Sequence, residues 1–376
     1  MIQLLNYSQK EPYRLFFPFG VLFLLWGALV WLPLIWSSDS YPVTLHRYLM
    51  LNGFSGCFIG GFLMTAFPKF SKTNTASIVE ILSYLLVIIL GVFFAQAENL
   101  GGVFICSALQ PVILISFLLP RISQRQENPP YSFVFIFVGL ILWAISALAS
   151  LFFDPDLFKH IHYEGAMASL ILGVGSRLIP GILGHQEIVA AQKEKYENPV
   201  PILKTIPLPF LVLILFFVSS YFSDDFIAHV VRASVVSIVA IFYWNLGRTP
   251  RIKTALTWCL WISSWLITLS FVIKAFWTEG LIHVSHSFFI NGIVLLSLLI
   301  ATRVLQSHGP KDNNLEQSKI LYVVSFLIVL AAATRVSAFL LPELYLSHLA
   351  YSSLMLVSGV LIWSFKYLRY ILIRNT

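Results

Sequence analysis

Twelve long apolar runs constrain this chain more than anything else in its sequence. They cover roughly 13–36, 46–68, 76–97, 99–120, 131–153, 160–184, 203–222, 226–246, 252–275, 280–304, 319–340 and 344–366. Each approaches the ~20 residues that a helix needs to cross a ~30 Å hydrocarbon core. The runs are continuous rather than alternating, which excludes a transmembrane β-barrel. Turn-forming clusters separate them: Ser71-Lys72-Thr73-Asn74, Glu127-Asn128-Pro129-Pro130, Ser223-Asp224-Asp225 and Gly309-Pro310-Lys311-Asp312-Asn313-Asn314. With 58% hydrophobic and only 11% charged residues, the chain lacks the charge to cover a water-facing surface. The first run is too long for a signal-peptide core and has no small-residue cleavage site after it, so it is read as a retained helix. The expected fold is an all-α polytopic bundle of about twelve transmembrane helices, a single integral membrane domain over residues 1–376 in the lipid bilayer.

Basic residues set the expected threading, because Lys and Arg are retained on the cytoplasmic side. With the N-terminus inside, the N-terminal segment, the loops after even-numbered helices and the C-terminal tail carry seventeen of them. Lys69, Lys72, Lys193, Lys195, Lys311 and Arg374 are among these. The other side carries Arg47, Lys159 and Lys274, and four more (Arg177, Arg232, Arg303 and Arg335) fall within helices. Both termini are therefore expected to be cytoplasmic. The net charge of +7 follows from this threading, and its dispersal speaks against a nucleic-acid partner. The longest loop, roughly 185–202, reads as a solvated charged connector.

The same threading gives the histidines positions. His46 opens helix 2, His160 and His162 open helix 6, His229 lies early in helix 8, His283 and His286 open helix 10, and His348 opens helix 12. All seven are expected in the outer third, and only His185 and His308 at inner ends. Helices 2, 6 and 10 are four helices apart, and their leading histidines are separated by 114 residues (His46 to His160) and 126 (His160 to His286). His160 and Arg177 are 17 residues apart, as are His286 and Arg303. Gly53, Gly165 and Gly292 each follow the leading histidine within two turns. Three diverged four-helix units account for this recurrence.

Imidazole is a ligand for haem iron and for copper. His283 and His286 are i,i+3, while His46 with Met50 and His160 with Glu164 are i,i+4, so each pair shares a helix face. Paired histidines from facing helices suit a non-covalent b-type haem, and His with Met50 suits copper. A lone histidine here is more simply an interfacial hydrogen-bonding residue. A set at repeated positions favours metal, with His46, His160 and His286 as primary ligands and His283, His162, His229 and His348 as supporting ones. Arg232 and Arg335 are candidates to bind haem propionates, against the plainer alternatives of a pair with Glu343 or Glu164 or snorkelling to headgroups. Cys57, Cys106 and Cys259 are isolated. They form neither a covalent haem motif nor a zinc motif.

The stretch His46-Arg47-Tyr48-Leu49-Met50-Leu51-Asn52-Gly53-Phe54, continuing through Gly60-Gly61-Phe62-Leu63-Met64-Thr65-Ala66-Phe67-Pro68, resembles the signature of the NnrS family. So do Gly165-Ala166-Met167 through Arg177 with Gly184-His185, and Thr302-Arg303 with Ser307-His308-Gly309. The similarity spreads over nearly the whole chain and is most specific in helix 2. It implies a twelve-helix bacterial inner-membrane protein containing haem and copper and linked to nitric oxide metabolism and tolerance. The family's inner-end motif reads Gly-His-Thr-Gly-Arg, whereas this chain has Gly184-His185-Gln186-Glu187 and His308-Gly309-Pro310. The leading expectation is a haem and copper protein that binds a small diatomic such as nitric oxide at the outer face and exchanges electrons with an unidentified partner. The alternatives are a secondary transporter, whose repeat would be six helices rather than four, and a haem or metal handling factor for a membrane oxidase.

Overall fold

The computed structural model describes residues 9–35, 41–192, 199–277, 279–308 and 314–372. Lys193, Lys195, Lys311 and Arg374 of the basic set, and the 309–313 part of the last turn cluster, lie outside them. Among the described residues every regular element is helical. Ten helices are long and apolar enough to cross a membrane, and two shorter ones complete the twelve. We number them α1 (Tyr13–Leu29), α2 (Val43–Ser71), α3 (Ile78–Gln96), α4 (Leu100–Ser123), α5 (Tyr131–Ala149), α6 (Ile161–Leu183), α7 (Leu208–Phe222), α8 (Phe226–Tyr243), α9 (Ala255–Phe276), α10 (Leu281–His308), α11 (Ile320–Ser337) and α12 (Pro342–Ile371). This is a multi-pass membrane protein.

Proline explains the two largest shortfalls of the helices against the apolar runs. The first run continues to residue 36, but α1 stops at Leu29 and only a 3-10 turn, Leu32–Ile35, follows around Pro33. Ring closure at Pro33 removes an amide donor and disfavours helical backbone at the residue before it. The seventh run begins at 203, yet α7 begins at Leu208, because Pro207 separates it from the short turn Ile202–Thr205. The charged connector after α6 also contains a helix of its own, Gln186–Ala191.

Helix ends are fixed by side chains. Ser77 caps α3 in a capping box with Glu80, whose carboxylate accepts the Ser77 amide at 2.7 Å. The same carboxylate receives Arg121 Nη1 at 2.9 Å, and Arg121 also donates to the carbonyls of Asn74 and Thr75, closing the α3–α4 pair at that end. Asp225 caps α8, accepting from Ala228 at 2.8 Å, and Thr254 caps α9.

Contacts gather into two compact units, one of Met1–Gly27, Val43–Val174 and Ala190–Leu215, the other of Ala28–Pro42, Gly175–Val189 and Phe216–Thr376. Burial singles out three helices. In α2, α6 and α10 the share of the span that is buried is 78%, 72% and 72%, against 28% in α11. These are the helices led by His46, His160 and His286, so the repeated histidines stand on the most enclosed helices of the bundle. Exposed aliphatic and aromatic side chains such as Val79, Phe93 and Phe365 belong to lipid-facing surfaces, as expected where the solvent is hydrocarbon.

Candidate functional site

Each of the three enclosed helices departs from α geometry just after its leading histidine. The π-helical segments are Tyr48–Ser55 in α2, Ile161–Gly165 in α6 and Phe288–Leu295 in α10. Their exits carry the wider i→i+5 bond: Gly56 N–H to Leu51, Ala166 N–H to Ile161 and Leu296 N–H to Asn291. Such turns are rare, are less stable than α-helix, and concentrate at functional sites. A fourth, Val239–Tyr243, ends α8. In all three repeats the residue before the recurring glycine is polar and buried: Asn52 before Gly53, Glu164 before Gly165, Asn291 before Gly292. Among the described residues Asn52 Nδ2 and Asn291 Oδ1 have no hydrogen-bond partner.

The opposite ends of α6 and α10 repeat as well. Within the second unit, Trp244 Nε1 donates to Ser176 Oγ at 3.3 Å, and Trp363 Nε1 donates to Thr302 Oγ1 at 2.9 Å. Ser176 precedes Arg177 and Thr302 precedes Arg303, so one bond occupies equivalent positions twice. Arg177 then binds the carbonyl of Val189, and Arg303 pairs with Glu316, each tying its helix to the connector that follows.

In the first unit, His46 is half-buried and its Nδ1 lies 2.8 Å from the carbonyl oxygen of Gly27 on α1. A carbonyl only accepts, so the ring proton is on Nδ1 and the lone pair is on Nε2. That is the tautomer metal-binding histidines use, with the second nitrogen oriented by a backbone carbonyl. Met50 meets the same glycine: a Cβ built on Gly27 would lie 2.9 Å from Met50 Sδ. The expected His46 and Met50 pair is thus brought together against one residue. Next to His46, the Arg47 guanidinium lies over the Tyr163 ring at 5.6 Å, joining the starts of α2 and α6. His160 stands immediately before the π segment of α6 and is half-buried. His162 is buried, its ring 6.5 Å from that of Trp143 on α5, and neither His162 Nε2 nor Trp143 Nε1 has a hydrogen-bond partner. Sequence reasoning passed over Trp143, Tyr48 and Gln110. The last two bond to each other at 3.0 Å between α4 and the π segment of α2.

In the second unit, His286 gives its Nδ1 proton to the Ile282 carbonyl at 2.6 Å, and His348 gives its own to Leu344 at 2.9 Å. Both therefore also carry the lone pair on Nε2. His283 is different. Its Nδ1 lies 2.7 Å from Arg335 Nη1, and because arginine only donates, His283 Nδ1 accepts and the ring proton is on Nε2. In that state His283 offers a metal no lone pair. His229 and Arg232 are both buried and bind Asp224: Arg232 Nη1 at 2.9 Å and His229 Nε2 at 3.4 Å. Arg232 Nη2 also donates to the carbonyls of Ser220 and Ser223, and the guanidinium lies 4.2 Å from the Tyr221 ring centroid. The counter-ion of Arg232 is Asp224 rather than Glu343 or Glu164, the carboxylates of the plainer alternative, and these bonds fasten the α7–α8 turn.

At the opposite helix ends, His308 gives Nδ1 to the Val304 carbonyl. His185 is wholly enclosed, and among the described residues neither ring nitrogen has a hydrogen-bond partner. Burial holds it below the ordinary histidine value, and Arg251 adds to the shift. Gly184 beside it has φ +89°, and a Cβ there would meet Ile252 at 2.9 Å, so only glycine suits this turn.

A family model described as NnrS protein matches residues 9–375. The chain belongs to the NnrS family. No curated protein matches it. For this NnrS-family chain, the test of a haem is whether imidazole nitrogens with lone pairs are available on rigid helices, since one such nitrogen suffices as an axial ligand. His46 and His286 each hold the tautomer with the lone pair on Nε2. A copper ion held by protein alone needs several convergent ligands. Among the described residues no three His, Cys, Asp or Glu side chains converge to form such a set.

Proposed function

We propose that this NnrS-family protein is a bacterial inner-membrane haem protein of the nitric oxide response, with cytoplasmic termini and with His46 and His286 as residues that would hold haem. One observation carries the assignment of residues. The two histidines each stand two positions before an eight-residue π segment and each hold the Nε2 lone-pair tautomer by giving Nδ1–H to a backbone carbonyl. A haem held there would supply the iron chemistry that binds nitric oxide. The protein's part is to orient the imidazole and to keep the ring from rotating, which the Gly27 and Ile282 carbonyls do. Enclosure of α2 and α10 keeps water away and strengthens every polar contact there. Family membership over residues 9–375 supports the nitric oxide reading.

The test is to purify the protein from cells supplied with haem and copper and record the reduced pyridine-haemochrome spectrum before and after adding nitric oxide. Near-stoichiometric haem b whose Soret band moves on nitric oxide addition is expected. Protein that folds with haem supplied and retains only traces would overturn the reading. The division into two units favours a second reading as a transporter, whose folds are built from internal repeats. Solute uptake by haem-free protein in liposomes would select it.

A further inference from the structure

Two arginines near helix ends of the second unit are compensated in opposite ways. Arg232 has a carboxylate, two carbonyls and an aromatic face around it. Arg335, half-buried on α11, bonds His283 of α10 at 2.7 Å and the Tyr345 hydroxyl of α12, and among the described residues it meets no carboxylate. Glu279 and Glu343 lie nearby in sequence, and neither forms an ion pair with it among the described residues. A guanidinium at a membrane-helix end without a counter-ion is costly. The neighbours sharpen the point. His283 accepts from Arg335 and so presents Nε2–H. The His283 ring also hydrogen-bonds the backbone of Arg335, so that residue holds it twice. Tyr345 adds a hydroxyl, and Phe339, 5.3 Å from the His283 ring and 5.7 Å from that of Trp277, walls the site with apolar surface. The set is positively charged and presents donors, walled off from water on one side.

We propose that Arg335, His283 and Tyr345 form a receptor for a small oxyanion of the carboxylate, nitrite or nitrate class. The planar fork of a guanidinium matches a two-oxygen anion in bidentate geometry better than it matches a spherical halide. His283 acts as a positioning residue, because its contact with Nη1 fixes the plane of the fork. The inference is independent of the haem reading and is tested without haem.

Haem-free protein in neutral detergent is melted in sodium nitrate, sodium nitrite or sodium formate and compared with sodium chloride at equal ionic strength. The melting temperature of the native chain is expected to rise with each oxyanion over chloride. Arg335→Gln should abolish the response. Arg335→Lys, which keeps the charge but not the fork, should need at least tenfold more nitrate. His283→Gln should weaken the response and leave it detectable. Nanodiscs distinguish the sources of the anion. A response that persists in phosphatidylcholine but disappears in phosphatidylglycerol identifies the headgroup phosphate as the resident oxyanion. A response lost only on haem loading identifies a haem carboxylate. Equal melting in nitrate and chloride for the native chain in detergent, or an Arg335→Gln response equal to the native one, would overturn the proposal. Either result leaves the haem reading untouched.

Discussion

At the start of α2, His46 gives its Nδ1 proton to the Gly27 carbonyl on another helix, whereas at the start of α10 His286 gives its own to Ile282, one turn back on the same helix. The two helices otherwise follow one plan: a histidine, an eight-residue π segment, a buried asparagine and a glycine. The difference is in what holds the imidazole. His46 is oriented by helix packing and fails when α1 moves, whereas His286 is oriented as soon as its own helix forms. Three residues before His286, His283 shows a third arrangement, in which a cation holds the ring in the tautomer that cannot ligate.

The largest effect should come from breaking the packing that orients His46. Gly27→Leu places a side chain where Met50 Sδ and Leu49 Cβ lie, at 2.9 and 3.1 Å from its Cβ, and pushes the carbonyl away from His46. Haem retention is expected to fall about tenfold, the cost typical of losing an outer-sphere partner of a metal-binding histidine. Ile282→Ala is the matching change on α10. It leaves the backbone acceptor in place and should leave haem content unchanged. A loss of haem in Ile282→Ala equal to that in Gly27→Leu would remove the distinction between the two helices.

A smaller effect tests the claim that Arg232 fastens a turn rather than a ligand. Asp224→Asn removes the counter-ion of a guanidinium that is 1% exposed, and stability should fall by about 2 kcal/mol. Asp224 is itself half-exposed, so the cost is less than that of opening a fully buried pair. Haem content should hold. Haem loss without destabilisation would place Arg232 in the binding site instead.

The smallest effect concerns His185. Its folded-state proton affinity is depressed by burial, so as pH falls the unfolded chain takes up the proton first. Its contribution to stability is complete above the ordinary histidine value and is lost progressively below it. His185→Gln should flatten the decline in melting temperature between about pH 7 and pH 5. An unchanged acid limb would mean that this ring does not titrate with unfolding.

How much of this was legible follows from which features leave letters in the sequence. Apolar runs are about twenty letters long, and all twelve are helices; their ends differ most where Pro33 and Pro207 intervene. Histidine, arginine and glycine are sparse in such a chain, so the recurrence of His46, His160 and His286 with their glycines was visible. The π segments were not, because an i→i+5 bond differs from i→i+4 by one residue of register and no residue type requires it. Asn52 and Asn291 went unremarked for the same reason, since one amide in an apolar run carries no signal until a neighbouring helix encloses it. The Arg335 and His283 contact joins residues 52 positions apart in sequence, and the Trp244 and Trp363 bonds to Ser176 and Thr302 likewise bridge separate helices. Such pairings are set by packing, which spacing along one chain does not encode.

The partner that holds each ring, a backbone carbonyl or an arginine, selects which histidines ligate. The most direct measurement compares haem content, by pyridine haemochrome, in His46→Gln and His283→Gln proteins purified side by side from haem-supplied cells. The tautomers predict that His46→Gln loses at least about nine-tenths of its haem, while His283→Gln keeps the native amount. Equal retention in the two, or loss confined to His283→Gln, would contradict the account.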